Sequence, residues 1–349
     1  MADIAKRYEK NPILSPGDLK ASEVNMDIEC LLNPGVFEYD GKTWLLIRVA
    51  ERTIQKGGVL SVPIYNEEGK VEIIHFDLKD PKLNASDARV INYDGVDYLT
   101  TISHLRLVCS KDGIHFYEPE GYASLFGEGE YESYGIEDCR VVKIEDTYHL
   151  SYTMVSANGV GVGLRTTKDW KHFEKRGMIF SPHNKDCAIF EEKIDGKYYA
   201  LHRPSSPELG GNYMWLAQSP DGIHWGNHKC IAKTRAGKFD SHRLGAGAAP
   251  IKTEKGWLEI YHGATEDNRY CLGAILLDLQ DPSIVLARSE EAIMEPMAEY
   301  EQTGFFGNVV FTNGHITQGD TIQMYYGASD EYVCKANFSI QEILSKLDI

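Results

Sequence analysis

The sequence predicts an all-β fold, a five-bladed β-propeller with short terminal helices. Three observations carry that expectation. Short strand-like runs with alternating polarity dominate the 349 residues, Asp-Gly or Asn-Gly pairs precede many of them, and one seven-residue element recurs three times. The clearest runs are Thr43–Val49, Tyr98–Ile102, Tyr148–Met154, Tyr198–His202, Trp257–Tyr261 and Thr321–Tyr326, all rich in β-branched and aromatic residues. Long helical periodicity is nearly absent.

Asp-Gly and Asn-Gly tolerate the positive φ angles that tight hairpins need. Asp40-Gly41, Asp94-Gly95, Asp195-Gly196 and Asn313-Gly314 therefore read as hairpin turns, with Lys255-Gly256 a weaker instance. The recurring element is Ser110-Lys111-Asp112-Gly113-Ile114-His115-Phe116, then Thr167 to Phe173, then Ser219 to Trp225. Its copies lie roughly fifty to sixty residues apart, which leaves room for about five four-stranded blades in one domain spanning the chain. It reads as a turn between outer strands with an aromatic plug, a mark of fold rather than of chemistry. Ile340, Ile343, Leu344 and Leu347 recur at helical spacing and predict a C-terminal helix within 338–349. An N-terminal extension over about 1–25 is expected to open with a helix around Asp3–Tyr8. Either helix could pack on a partner subunit, giving a homo-oligomer.

Lys and Arg total 36 against 52 Asp and Glu, a net charge of −16. That field argues against nucleic acid or an anionic membrane as a partner, and an anionic substrate would need several cations converging locally. The segment from Met1 to Pro12 carries Asp3, Lys6, Arg7, Glu9 and Lys10 rather than an apolar stretch, so a cytoplasmic location is expected. The seven cysteines stand singly and the twelve histidines show no metal-binding spacing, which predicts reduced thiols and no metal. Gly210-Gly211 and Gly245-Ala246-Gly247 lack the sequel of a nucleotide loop, so no cofactor is expected.

Six segments then occur in order: Asn33-Pro34-Gly35 followed by Trp44 to Val49; Gly135-Ile136-Glu137-Asp138-Cys139-Arg140; Asn184-Lys185-Asp186 with His202-Arg203-Pro204; Arg243 to Gly247; Tyr261-His262-Gly263; and Tyr326 to Asp330. Together they resemble the β-mannoside phosphorylases of glycoside hydrolase family 130. The resemblance implies an inverting, reversible phosphorolysis in which inorganic phosphate, a co-substrate, attacks the anomeric carbon of a β-mannoside, displaces the group linked there and gives α-mannose 1-phosphate. β-1,2-Mannobiose or β-1,2-oligomannan is the favoured substrate. An inverting hydrolase pairs a general acid with a carboxylate that activates water. Phosphate is already a nucleophile, so a basic cluster takes the second carboxylate's place.

By the same resemblance Asp138 is the general acid, passing its proton through a mannose hydroxyl. Lys185, Arg203, Arg243 and His262, with Tyr270 as a weaker member, hold the phosphate, and Asn33, Arg48 and Asp330 bind the mannose. Cys139 stands where the family usually has Pro. Strand alternation places Glu137 on the face opposite Asp138, as a structural residue, and Arg140 on the same face, where it either meets ligand or pairs with an acid. Candidate loops for the acceptor side are 205–213 and 301–308, the latter with Phe305 and Phe306, which either stack on a sugar face or pack as core. Alternatives stay open: a phosphorylase for β-1,4-mannosyl-glucose or mannosyl-N-acetylglucosamine, a β-mannosidase with a second carboxylate ~6.5–9.5 Å away, or a non-catalytic glycan-binding propeller with Tyr213 and Trp215 as its platform.

Overall fold

Strands occupy the predicted runs in the computed structural model, which describes residues 3–87, 89–205 and 209–347, except that the run Tyr98–Ile102 is divided at Thr100 between the strands Val96–Leu99 and Thr101–Ser110, which belong to different sheets. Five antiparallel sheets follow one another along the chain. The first is Met26–Tyr39, Lys42–Thr53 and Thr101–Ser110; the second is Gly135–Ile144, Thr147–Ser156, Gly159–Thr167 and Glu174–Phe180. A single parallel pair, Gly135 with Ser103, joins these two. The third sheet is Asn184–Ile189, Tyr198–Pro204, Met214–Ser219 and Gly226–Ala232. In the fourth, Arg243–Gly245 and Ile251–Lys252 both pair with Trp257–Ala264, followed by Tyr270–Leu277 and Val285–Arg288. The fifth is Val310–Gln318, Thr321–Ala328, Tyr332–Ser339 and, from the other end of the chain, Lys6–Arg7. Two small sheets, Val59–Tyr65 with Val71–Asp77, and Leu83–Asn84 with Val90–Tyr93 and Val96–Leu99, form an insertion within the first.

The core lies between sheets. Phe37, Trp44 and Leu107 pack with Tyr148 and Leu150 between the first and second, and Val142 and Leu164 pack with Ile189 and Ala200 between the second and third. Leu201 and Leu216 meet Trp257 and Ile275 between the third and fourth, and Leu258 and Leu276 meet Ile322 and Phe338 between the fourth and fifth. A last cluster joins Leu31, Leu45 and Ile47 of the first sheet to Tyr325 and Val333 of the fifth.

At Asp40-Gly41, Asp94-Gly95 and Asp195-Gly196 both residues have positive φ, as the hairpin reading requires. Asn313-Gly314 is different. It lies inside Val310–Gln318 at a bulge, and a Cβ on Gly314 would collide with Val36 of the first sheet, so this glycine permits close sheet approach rather than a turn. The recurring element is one hydrogen-bonded turn built three times. Ser110, Thr167 and Ser219 each accept, at 2.9 Å, the N–H three residues on, and Asp112, Asp169 and Asp221 each accept the imidazole Nδ1–H of the following histidine at 2.7 Å. Where two copies have glycine at the left-handed position, the second has Trp170, fully buried and stacked on Phe37 at 3.6 Å.

The N-terminal helix is not formed. Lys6 and Arg7 instead pair as a strand with Asn337 and Ala336, because a segment this short cannot hold a helix by itself while an open sheet edge offers ready partners. The C-terminal helix forms over Ile340–Lys346, capped by Ser339, whose hydroxyl accepts the Glu342 N–H at 3.0 Å. Its Ile343 and Leu347 are buried in the core between the fourth and fifth sheets, so its apolar face is used within the chain. All seven cysteines are free and six are buried. No described helix is long and apolar enough to cross a membrane.

Candidate active site

Three of the sheets break their first strand in the same way. Asn33, Asp138 and Asp186 each have φ between 37° and 53°, each at a register shift in the strand that comes first in its sheet along the chain. Asn and Asp enter this left-handed region at least cost after glycine, and the extra residue of a bulge turns its side chain out of the alternating pattern. All three side chains line one cavity of about 530 Å3. Gly35, beside the first bulge, lets the sheets approach: a Cβ there would stand 2.7 Å from the Cys139 carbonyl oxygen. Cys139 is fully buried in the core between the first two sheets.

Asp138 Oδ1 accepts from Asn33 Nδ2 at 3.1 Å and from Arg48 Nη1 at 3.2 Å. Burial pushes the Asp138 carboxyl up, but Arg48, Arg140, Lys185 and the Asn33 amide outweigh it and hold the group below the usual carboxylate range. Arg48 also donates to Ser103 Oγ at 3.0 Å and to Glu137 Oε1 at 2.8 Å. Alternation therefore fails as a guide here: the bulge between Glu137 and Arg140 lets adjacent carboxylates grip one guanidinium. Asp330, at φ 50°, also lines the cavity, and burial, helped by Asp138 and Glu137 and opposed by Arg48, pushes its carboxyl up to about 6.

Lys185, Arg203, Arg243 and Tyr270 line the same cavity. Arg243 donates to the Tyr270 hydroxyl at 3.1 Å and to Asn268 Oδ1 at 3.3 Å. The buried Nε groups of Arg203 and Arg243 have no hydrogen-bond partner among the described residues. Among the described residues lining this cavity, five cations (Arg48, Arg89, Lys185, Arg203, Arg243) accompany three carboxylates (Asp138, Asp186, Asp330), although the chain carries −16. A buried donor without a partner is costly, and an anion with several acceptor oxygens removes that cost.

Two expected members sit behind the wall rather than in the cavity. His262 is fully buried, and burial, opposed by Asp186, pushes its imidazole down to about 4, so it contributes no charge at neutral pH. Arg140 is 2% exposed and spends its donors on the main-chain oxygens of Asp138, Ala246 and Gly247 and on Asp186. Of its two readings from sequence, pairing with an acid is the one found.

Phe305 and Phe306, from one of the two candidate loops, line the cavity. Residues 206–208 of the other loop lie outside the described residues, and its described remainder does not reach the cavity. Trp215 lines a separate cleft with Phe180, Trp225 and His228, away from the charged residues. Sequence reasoning missed Arg89, Asp186, Asn268 and Phe311. The signal for Asp186 was present, an Asp in the segment that supplies Lys185, but Arg89 comes from the inserted small sheets and has no local mark.

Residues 88–348 match the family profile described as β-1,4-mannooligosaccharide phosphorylase. The chain is 46% identical to the β-1,2-mannobiose phosphorylase of Listeria innocua over 98% of both chains, and 40% identical to a 1,2-β-oligomannan phosphorylase of a Thermoanaerobacter species over 69% of this chain and 80% of that one. The solved structure of the Listeria innocua protein, a complex with β-1,2-mannobiose, superposes with a TM-score of 0.94 over 99% of each chain.

Proposed function

Because the chain belongs to the β-mannoside phosphorylases of glycoside hydrolase family 130, we propose that it cleaves β-1,2-mannobiose and short β-1,2-oligomannans with inorganic phosphate, with inversion, to give α-mannose 1-phosphate. The observation that carries this reading is the charge imbalance of the cavity, whose lining includes Lys185 together with Arg203 and Arg243, the two arginines whose buried Nε donors have no partner among the described residues. These groups would hold a phosphate oxygen in line with the anomeric carbon, with Tyr270 completing the cradle. The bond from that carbon to the bridging oxygen breaks as the carbon–phosphate oxygen bond forms, and the bridging oxygen takes a proton that originates on Asp138, through a mannose hydroxyl. Asn33 and Arg48 orient Asp138, while Asp330 faces the mannose.

Asp138 is held ionised in the free protein, so it must gain a proton when substrates bind. A phosphate dianion beside Lys185 offsets the field that lowers the Asp138 carboxyl and favours that protonation. A hydrolase would need a free carboxylate as base. Of the other two in the cavity, Asp186 is bound to cations and Asp330 shares the field of Arg48. The placement of Trp215 outside the cavity counts against a pure glycan platform. The five inter-sheet cores, the last of which links the fifth sheet to the first, support reading the fold as a five-bladed propeller with the cavity at one end of its axis. A charged sugar phosphate does not cross membranes unaided, which fits a cytoplasmic setting.

The test is incubation with β-1,2-mannobiose and, separately, β-1,4-mannosyl-glucose, with and without phosphate, followed by phosphorus and proton NMR. Phosphate-dependent α-mannose 1-phosphate from the first disaccharide is expected. Free mannose released equally without phosphate would overturn the reading.

A further inference from the structure

A carboxylate in the wall of an anion site needs a reason, and Asp186 is such a group. Its residue is 3% exposed. Oδ2 lies 3.1 Å from Arg203 Nη1 and 3.3 Å from His262 Nε2, and Oδ1 lies 3.3 Å from Arg140 Nη2. Burial alone would push its carboxyl up, but Arg203, His262 and Arg140 reverse that and hold it well below the usual range. The position is built for this contact: the bulge between Lys185 and Ala188 sets φ at 53°, and a Cβ on Gly245 would collide with Oδ2 and stand 2.7 Å from the His262 ring.

The guanidinium is a rigid planar fork. With Nη1 engaged by Asp186 at 3.1 Å and His262 at 3.4 Å, the edge formed by Nε and Nη2 is the one left for a ligand, and its buried Nε has no hydrogen-bond partner among the described residues of a side chain that lines the cavity. Arg140 extends the connection, because the side chain that meets Asp186 also donates to the Asp138 main-chain oxygen at 2.9 Å.

We propose that Asp186 is a positioning residue, which turns the free edge of Arg203 toward phosphate and, through Arg140, ties that clamp to the backbone carrying the general acid. The inference rests on Arg203 binding phosphate, as in the reading above. It makes a prediction opposite to bare electrostatics. As an uncompensated charge, Asp186 would repel phosphate and its removal would lower the KM for phosphate. As a positioning group, its removal lets the fork rotate and weakens a charge-assisted bidentate contact.

The experiment compares Asp186→Asn, Gly245→Ala and Arg203→Ala with the parent enzyme, after thermal unfolding has shown which variants fold. Asp186→Asn should raise the KM for phosphate roughly tenfold or more, with the KM for β-1,2-mannobiose at saturating phosphate within about twofold. Gly245→Ala keeps the charge but displaces it and should shift the phosphate KM in the same direction. An unchanged or lowered phosphate KM in folded Asp186→Asn overturns the proposal, and if that variant does not fold, Gly245→Ala decides by the same readout. If Arg203→Ala itself leaves the phosphate KM unchanged, the phosphate reading of Arg203 has failed. A raised KM in Arg203→Ala without one in Asp186→Asn leaves that reading intact and sinks the positioning role alone.

Discussion

Arg48 and Asp138 are joined Nη1 to Oδ1 at 3.2 Å, while the same guanidinium holds Glu137. This ion pair fixes the carboxyl in one rotamer and keeps it charged at rest. Asp138→Asn preserves the shape and the Asn33 contact but has no proton to give. Its kcat should fall by about 10²–10⁴-fold with little change in melting temperature, measured as phosphate-dependent release of mannose 1-phosphate. Near-normal turnover would remove Asp138 from its role.

Arg203→Ala removes a guanidinium that lines the cavity. The KM for phosphate should rise by on the order of tenfold to a hundredfold, with a smaller change in the KM for the disaccharide. Initial rates over a phosphate series at fixed β-1,2-mannobiose give the answer.

Asp330 supplies a pH signature. Its carboxyl, at about 6 in the folded protein against the ordinary 3.8, binds its proton more tightly when folded. The stability this provides is complete below about pH 4 and is lost as pH rises through 6, a change of up to about 3 kcal/mol. Asp330→Asn should lack that loss, so parent and variant should diverge between pH 4 and 7 in denaturant unfolding without phosphate in the buffer. Parallel profiles would contradict the assignment.

Gly35→Ala tests the approach of the first two sheets. A methyl 2.7 Å from the Cys139 oxygen forces backbone apart, at a cost of about 1–3 kcal/mol. A variant as stable as the parent would mean that the strands separate freely.

Phe305 and Phe306 lie on the cavity wall, with Phe305 37% exposed. Phe305→Ala should raise the KM for the disaccharide about three- to tenfold while the phosphate KM stays put, since an aromatic face on a sugar ring contributes roughly 1 kcal/mol.

Much of this was legible in the chain. Strand runs and Asp-Gly turns report local preferences, so they survived folding, as did the turn built on Ser110, Thr167 and Ser219. Asp138, Lys185, Arg203 and Arg243 were found because they sit in recognisable segments. What escaped depends on non-local geometry. Glu137 and Asp138 share one guanidinium because a bulge breaks alternation, and no periodicity announces a bulge. His262 read as a cation until its full burial was known. Lys6 and Arg7 form a strand because of a partner edge more than 300 residues away.

That short strand has a second attachment. Arg7 donates to Glu301 Oε1 at 2.8 Å and to the Glu295 main-chain oxygen at 2.6 Å, and Glu301 receives the N–H groups of Met297 and Ala298 at 2.8 and 3.0 Å. Glu301 opens the segment that carries Phe305 and Phe306. The same few residues thus splice the two ends of the chain together and brace the aromatic rim of the cavity. A protease cut just beyond Arg7, or a bulky fusion that pulled on it, would take away a strand edge and a brace of that rim at one stroke.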